Sequence, residues 1–202
     1  MASTRSTALN DVALSLGFKF EADDWAFGGL FSQIDIPLFT RPGNIGTISN
    51  ILTGQLNGIG GKFFDFSMTV AGEYWPIKQT LASFTPERPL PQFTVAPMDL
   101  AHRISGLFTQ QAVNVHLPGS PQRIWISGTD EDRIRAAFNP NLVEFLTVTD
   151  QAVPWHFEGC PKALVLYRIG HLAKPEEYAE FIDSTASLAK TFLALYGPAT
   201  AA

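Results

Sequence analysis

A single cysteine, Cys160, stands in the 202-residue chain. No intrachain disulfide can form, and a zinc site built on several thiolates is excluded. Charged residues are scarce as well, at 16% against 46% hydrophobic. That balance supports a sizeable core, excludes global disorder and predicts more apolar surface than usual. The net charge of −5 supplies no basic field to gather phosphates, which argues against nucleic-acid partners. No run reaches the roughly 18 to 20 apolar residues of a membrane span, and the N-terminal stretch lacks a signal-peptide core. The expectation is a cytoplasmic chain, with peripheral membrane contact open.

Catalytic signatures are missing too. There is no G-x-S-x-G elbow, and His102, His116, His156 and His171 include no H-x-x-x-H pair. The glycine-rich stretch from Gly54 to Lys62 lacks the Ser or Thr that follows Gly-Lys in a phosphate loop. Gly61-Lys62 runs instead into Phe63-Phe64 and strand character, so the stretch reads as a turn.

What is present is centred on Thr47 to Val70. Two strand-like arms flank Asn57-Gly58, and both of those residues tolerate positive φ, the strongest local hairpin signal. In the second arm Phe64, Phe66, Met68 and Val70 share one face, and Phe63, Asp65, Ser67 and Thr69 the other. Asp65 is placed to meet a basic residue across the sheet. Further strands are predicted at Phe18 to Phe20, at 78–84, 91–96, 113–116 and 123–127, and at 155–158 and 162–169. The last two turn at Gly159-Cys160-Pro161. Ile34 to Phe39 reads as an edge strand, since Pro37 removes a ladder donor.

Helices are predicted from Thr7 to Leu16, stopped by Gly17, and at 98–105. Another runs from a Thr129 cap through Phe138, followed by one over 140–146, and a long helix over 175–196 begins at Pro175. Runs of adjacent strands with few crossover helices give an α+β class with a mainly antiparallel sheet built from hairpins. One domain over 1–202 is expected, with 1–6 and 197–202 as flexible tails.

The nearest chemical constellation is His156-Phe157-Glu158-Gly159-Cys160. Alternation puts His156, Glu158 and Cys160 on one strand face, where imidazole, carboxylate and thiol can converge. H-x-E also opens the zinc deaminase signature, which then requires Pro-Cys-x-x-Cys, and no second cysteine exists. The plainer reading is a polar strand edge, so no metal or cofactor is assigned. The aromatics offer a different site. Phe63 and Phe64 alternate, so one of them is expected to face outward and form a contact patch with Tyr74 and Trp75.

The feature order from Ile48 to about Leu193 resembles a family of uncharacterised bacterial α+β proteins. The shared pattern runs Asn50-Ile51-Leu52-Thr53-Gly54, the glycine hairpin, Phe63-Phe64-Asp65-Phe66, Gln79-Thr80-Leu81 and Pro91 to Pro97. It continues through Gly128 to Pro140, Trp155 to Gly159 and Lys162 to Arg168. Proteins of this look often carry membrane helices or anchors, and the resemblance implies no activity and no site residue. The leading expectation is a non-enzymatic interaction or scaffold domain with a protein partner or a second copy of itself. The alternatives are a metal or thiol enzyme using His156, Glu158 and Cys160, and a carrier of a small apolar ligand.

Overall fold

The structure is a computed structural model that describes residues 3–23, 34–40, 45–69, 76–97, 113–114, 124–152 and 154–196. Its strands are β1 (Lys19–Asp23), β2 (Ile45–Leu56), β3 (Ile59–Thr69), β4 (Ile77–Phe84), β5 (Phe93–Pro97), β6 (Val113–Asn114), β7 (Ile124–Gly128), β8 (His156–Cys160) and β9 (Ala163–Tyr167). They form one sheet in the order β1-β2-β3-β4-β9-β8-β5-β7-β6, and every pairing is antiparallel. The helices are α1 (Thr4–Leu16), the one-turn α2 (Pro37–Thr40), α3 (Glu131–Ala137), α4 (Pro140–Ala152) and α5 (Tyr178–Leu195), the last entered through a 3-10 turn at Pro175–Glu177. This is an α+β fold. No helix among the described residues is long and apolar enough to cross a membrane.

The central hairpin forms as the residues require. Asn57 (φ 53°) and Gly58 (φ 81°) both turn left-handed, and Leu56 pairs with Ile59 across a two-residue turn. A register shift between Ser49 and Leu52 puts Asn50 at φ 52° and aims its amide at Asp65.

The sheet's first face packs against α1, α3, α4 and α5. Phe63, Ala82, Leu166, Phe157, Val95 and Ile126 run across it in register and meet Ile134, Leu142, Phe181 and Phe192 from the helices. Phe93 and Phe157 stack on Phe192 at 5.7 and 5.6 Å. The second face carries Phe64, Phe66, Met68, Leu81, Val165 and Tyr167, and Ile34, Ile36 and Leu38 cover part of it.

Several expectations need correction. Phe63 and Phe64 are 1% and 0% exposed, so neither points outward; helices take one face, and the strap around Pro37 contributes to covering the other. Tyr74 and Trp75 lie outside the described residues, as does 98–105. Ile34 to Phe39 is no edge strand, because Pro37 opens a helical turn that spends its N–H groups on other partners. Cys160 is not in a turn. The β8–β9 turn is Pro161-Lys162, and Gly159 stays in the strand because the Phe93 ring lies 2.1 Å from where its Cβ would stand. Asp130, not Thr129, caps α3, accepting from the Arg133 N–H at 3.0 Å. Residues 4–6 are no tail but the first turn of α1, with Ser3 capping it.

Candidate functional site

Strand alternation does bring His156, Glu158 and Cys160 to the second face, and all three are buried, at 0%, 1% and 1% exposure. Two of them meet on a residue that sequence reasoning missed. Tyr167 sits opposite His156 across the β8–β9 ladder, their rings stacked at 5.0 Å and 14°. The Tyr167 hydroxyl also donates a short hydrogen bond to Glu158 Oε1, while the Leu38 N–H donates to Oε2 at 3.1 Å. One carboxyl group therefore ties α2 to the sheet. Cys160 stands apart among apolar side chains, opposite Ala163.

Burial sets the electrostatics. It raises the Glu158 carboxyl to about 7, against the pull of the Tyr167 and Leu38 hydrogen bonds, because the anion loses its water. Burial alone lowers His156 to about 4. The neutral imidazole has no hydrogen-bond partner at either nitrogen among the described residues. Tyr167 is pushed up by burial and by the carboxyl beside it. A carboxyl near neutrality suits proton transfer. This one is sealed, however, and both its oxygens are engaged. Among the described residues no group of three or more His, Cys, Asp or Glu side chains can hold a metal ion, so the three-ligand convergence on β8 does not form.

A second polar cluster lies on the first face. Asp65 accepts from Arg5 Nε at 2.7 Å and Nη2 at 2.8 Å, from Asn50 Nδ2 at 2.8 Å and from Thr80 Oγ1 at 3.3 Å. Arg5 Nη2 also donates to the Ala173 carbonyl at 2.7 Å. Asp65 thus meets a basic residue, as expected, but from α1 and not from a neighbouring strand. Burial works against the Arg5 cation, yet Asp65 outweighs it and the guanidinium pKa is raised. The cluster joins α1, β2, β3, β4 and the loop before α5. It is a structural clasp.

Cavities lined by described residues lie elsewhere, at the end of the sheet nearest the Asn57-Gly58 turn. One cavity of about 500 Å³ lies between that turn, Thr85 to Arg88 and the end of α5. Its helix is pinned by Lys190 Nζ, which donates to the Asn57 carbonyl at 3.3 Å. Another, of about 880 Å³, opens on the second face between Gly54, Lys62, Ser83 and Lys162. Neither contains His156, Glu158 or Cys160. The sequence signal for this region was present in the glycines and Lys62, but they report turn chemistry as readily as a site.

Comparison with known proteins finds no family model and no curated protein that matches, in keeping with the resemblance to a family without assigned activity. One solved structure is similar in fold, the crystal structure of the mycobacterial trehalose monomycolate transport factor A, TtfA. Its TM-score is 0.64 at 14% sequence identity, covering 97% of this chain and 98% of that one. At that identity the likeness concerns the fold alone.

Proposed function

We propose that this chain is a non-enzymatic carrier or scaffold serving a transport process, working in the cytoplasm on a protein partner or a second copy of itself. One observation carries the reading. The reactive side chains of β8 are 1% exposed or less, and the Glu158 carboxyl is spent on Tyr167 and on the Leu38 N–H. Cavities lined by described residues lie instead at the hairpin end of the sheet. The fold shared with a transport factor over nearly the whole chain is in keeping with this. The contact surface is proposed to pass through Tyr74 and Trp75, without Phe63.

Native mass spectrometry on protein isolated without chelator tests it. The reading expects a chain multiple, a partner complex, or the 22.1 kDa chain carrying an organic molecule. One metal ion per chain, lost together with an activity when His156 is replaced, contradicts it. Replacing Tyr74 and Trp75 by alanine is expected to dissociate the multiple or the partner complex, and an unchanged complex removes those residues from the surface.

A further inference from the structure

We infer that residues 34–40 form a strap that lifts off the second face as a unit, with the Glu158 carboxyl as its latch. The inference goes beyond the proposed function and holds for a protein partner and for a carried molecule alike.

The strap contributes no strand to the sheet, and its helical turn is internally bonded. The Ile36 carbonyl accepts from the Phe39 N–H at 2.9 Å, the Thr40 N–H at 3.1 Å and the Thr40 hydroxyl at 3.1 Å. These bonds travel with the turn when it moves. Its ties to the body are of another kind. Gln92 Nε2 donates to the Asp35 carbonyl at 3.2 Å, an exposed bond that water replaces readily. The Leu38 N–H donates to Glu158 Oε2 at 3.1 Å, and this bond is buried. Apolar contact adds to the grip, with Ile34, Ile36 and Leu38 on the cluster that holds Phe64, Leu81 and Val165. An element held in this way opens at a lower free energy than the ladders beneath it.

The latch responds to protonation. Under the closed strap Glu158 is cut off from water, and burial raises its carboxyl to about 7 against the Tyr167 and Leu38 hydrogen bonds. Under the open strap it is hydrated and returns toward its ordinary 4.5. The closed state therefore holds the extra proton between those values. Its advantage is complete below about pH 4.5 and is lost as pH rises through 7.

Among the described residues, the groups that face Glu158 are His156 and Cys160 on β8, Tyr167 on β9 and Thr94, opposite it on β5. Asp35 of the strap is exposed, and no charged group among these contributes to the Glu158 shift. His156 acts in the opposite sense, since hydration of its imidazole favours the open state below about pH 6.5. The latch is therefore read as a difference between the parent and a variant that keeps His156.

Cys160 supplies the reporter. It pairs with Ala163 across the β8–β9 ladder, and Ala163 and Ile34 of the strap line one cavity. Lifting the strap bares the thiol while the sheet stays paired. Labelling of the full chain by a dipyridyl disulfide, which stays reactive in acid, is measured against the denatured rate at the same pH. The ratio gives the open fraction.

At low urea the rate is expected to exceed that set by global unfolding by at least about tenfold and to be nearly independent of urea. It joins the unfolding slope only near the midpoint. Glu158→Gln replaces the neutral acid by a neutral side chain of the same shape, and an unchanged circular dichroism spectrum confirms its fold. The open fraction of the parent relative to this variant is expected to rise at least about 30-fold between pH 4.5 and 7 and to level off above. Labelling that follows the full unfolding slope at every urea concentration overturns the strap, because the thiol is then bared only with the sheet. Labelling at nearly the denatured rate overturns it too, since no closed state then exists. A ratio that stays flat across this pH range overturns the latch. The urea slope is read on the parent alone and so decides the strap without the variant. None of these outcomes bears on self-association seen by native mass spectrometry, so failure of the strap is distinguishable from failure of the proposed function.

Discussion

The two faces of the sheet each bury a carboxyl group, and the structure treats them in opposite ways. Asp65 on the helix face receives a guanidinium fork, an amide and a hydroxyl, so its negative charge is matched where it stands. Glu158 on the strap face receives a phenol and one backbone N–H and, among the described residues, no cation, and burial pushes it toward the neutral acid. The neighbouring imidazole is likewise held uncharged. One face is fastened by an ion pair, the other by a carboxyl whose ionisation burial opposes, beside a neutral imidazole. Residue type alone does not make a site; the partners that burial supplies decide whether an acid clasps, reacts or stays silent.

Breaking the core under each cluster gives the largest effects. Phe63→Ala and Phe64→Ala are each expected to cost about 3 to 5 kcal/mol in urea unfolding, since both rings are buried on opposite faces. A near-zero cost for Phe63→Ala would restore it to the surface. Next comes the clasp. Arg5→Ala is expected to cost about 3 kcal/mol by leaving Asp65 buried without its cation, whereas Arg5→Ala with Asp65→Asn recovers part of that loss. If the single and double variants lose equally, the ion pair contributes nothing beyond packing.

The pH dependence sharpens the comparison on the other face. Glu158 has a folded pKa of about 7, above the ordinary 4.5, so the folded state holds the extra proton between those values. Its stabilisation is present below about pH 4.5 and is lost as pH rises through 7. His156 has a folded pKa of about 4, below 6.5, so the unfolded state holds the extra proton there. Its stabilisation is present above about pH 6.5 and is lost as pH falls through 4. The opposed slopes, each worth about 3 kcal/mol over its window, nearly cancel between pH 4.5 and 6.5 in the parent chain. Glu158→Gln is therefore expected to gain stability as pH rises from 4 to 6.5, and His156→Phe to lose it from 4.5 to 7. Parallel curves for parent and both variants would contradict this assignment. The smallest effect is at fixed pH. His156→Phe at pH 7 is expected to stabilise by about 1 kcal/mol, because two unpartnered buried nitrogens are removed and the stack on Tyr167 is kept.

The extent to which the sequence foretold these features depends on how local their causes are. The Asn57-Gly58 hairpin, the β8–β9 pair and the long closing helix follow from turn chemistry and periodicity within each stretch. The strap at Pro37 was misread because its N–H partner, Glu158, lies 120 residues away. The turn at Gly159 was misplaced because the glycine answers to the ring of Phe93, on another strand. Of the β8 candidates, their shared face was legible from alternation. Their burial, and the part played by Tyr167, depends on cross-strand register and on the covering chain, neither of which has a local signal.

The central claim is that the reactive groups of β8 are sealed and structural. Cys160 reports on this directly, as the one thiol of the chain. Its reaction rate with an aromatic disulfide reagent should be compared in native buffer and in denaturant at the same pH. The account predicts native labelling at least about 1,000-fold slower, limited by opening of the fold. Labelling at nearly the denatured rate would contradict it and return His156, Glu158 and Cys160 to the status of an accessible site.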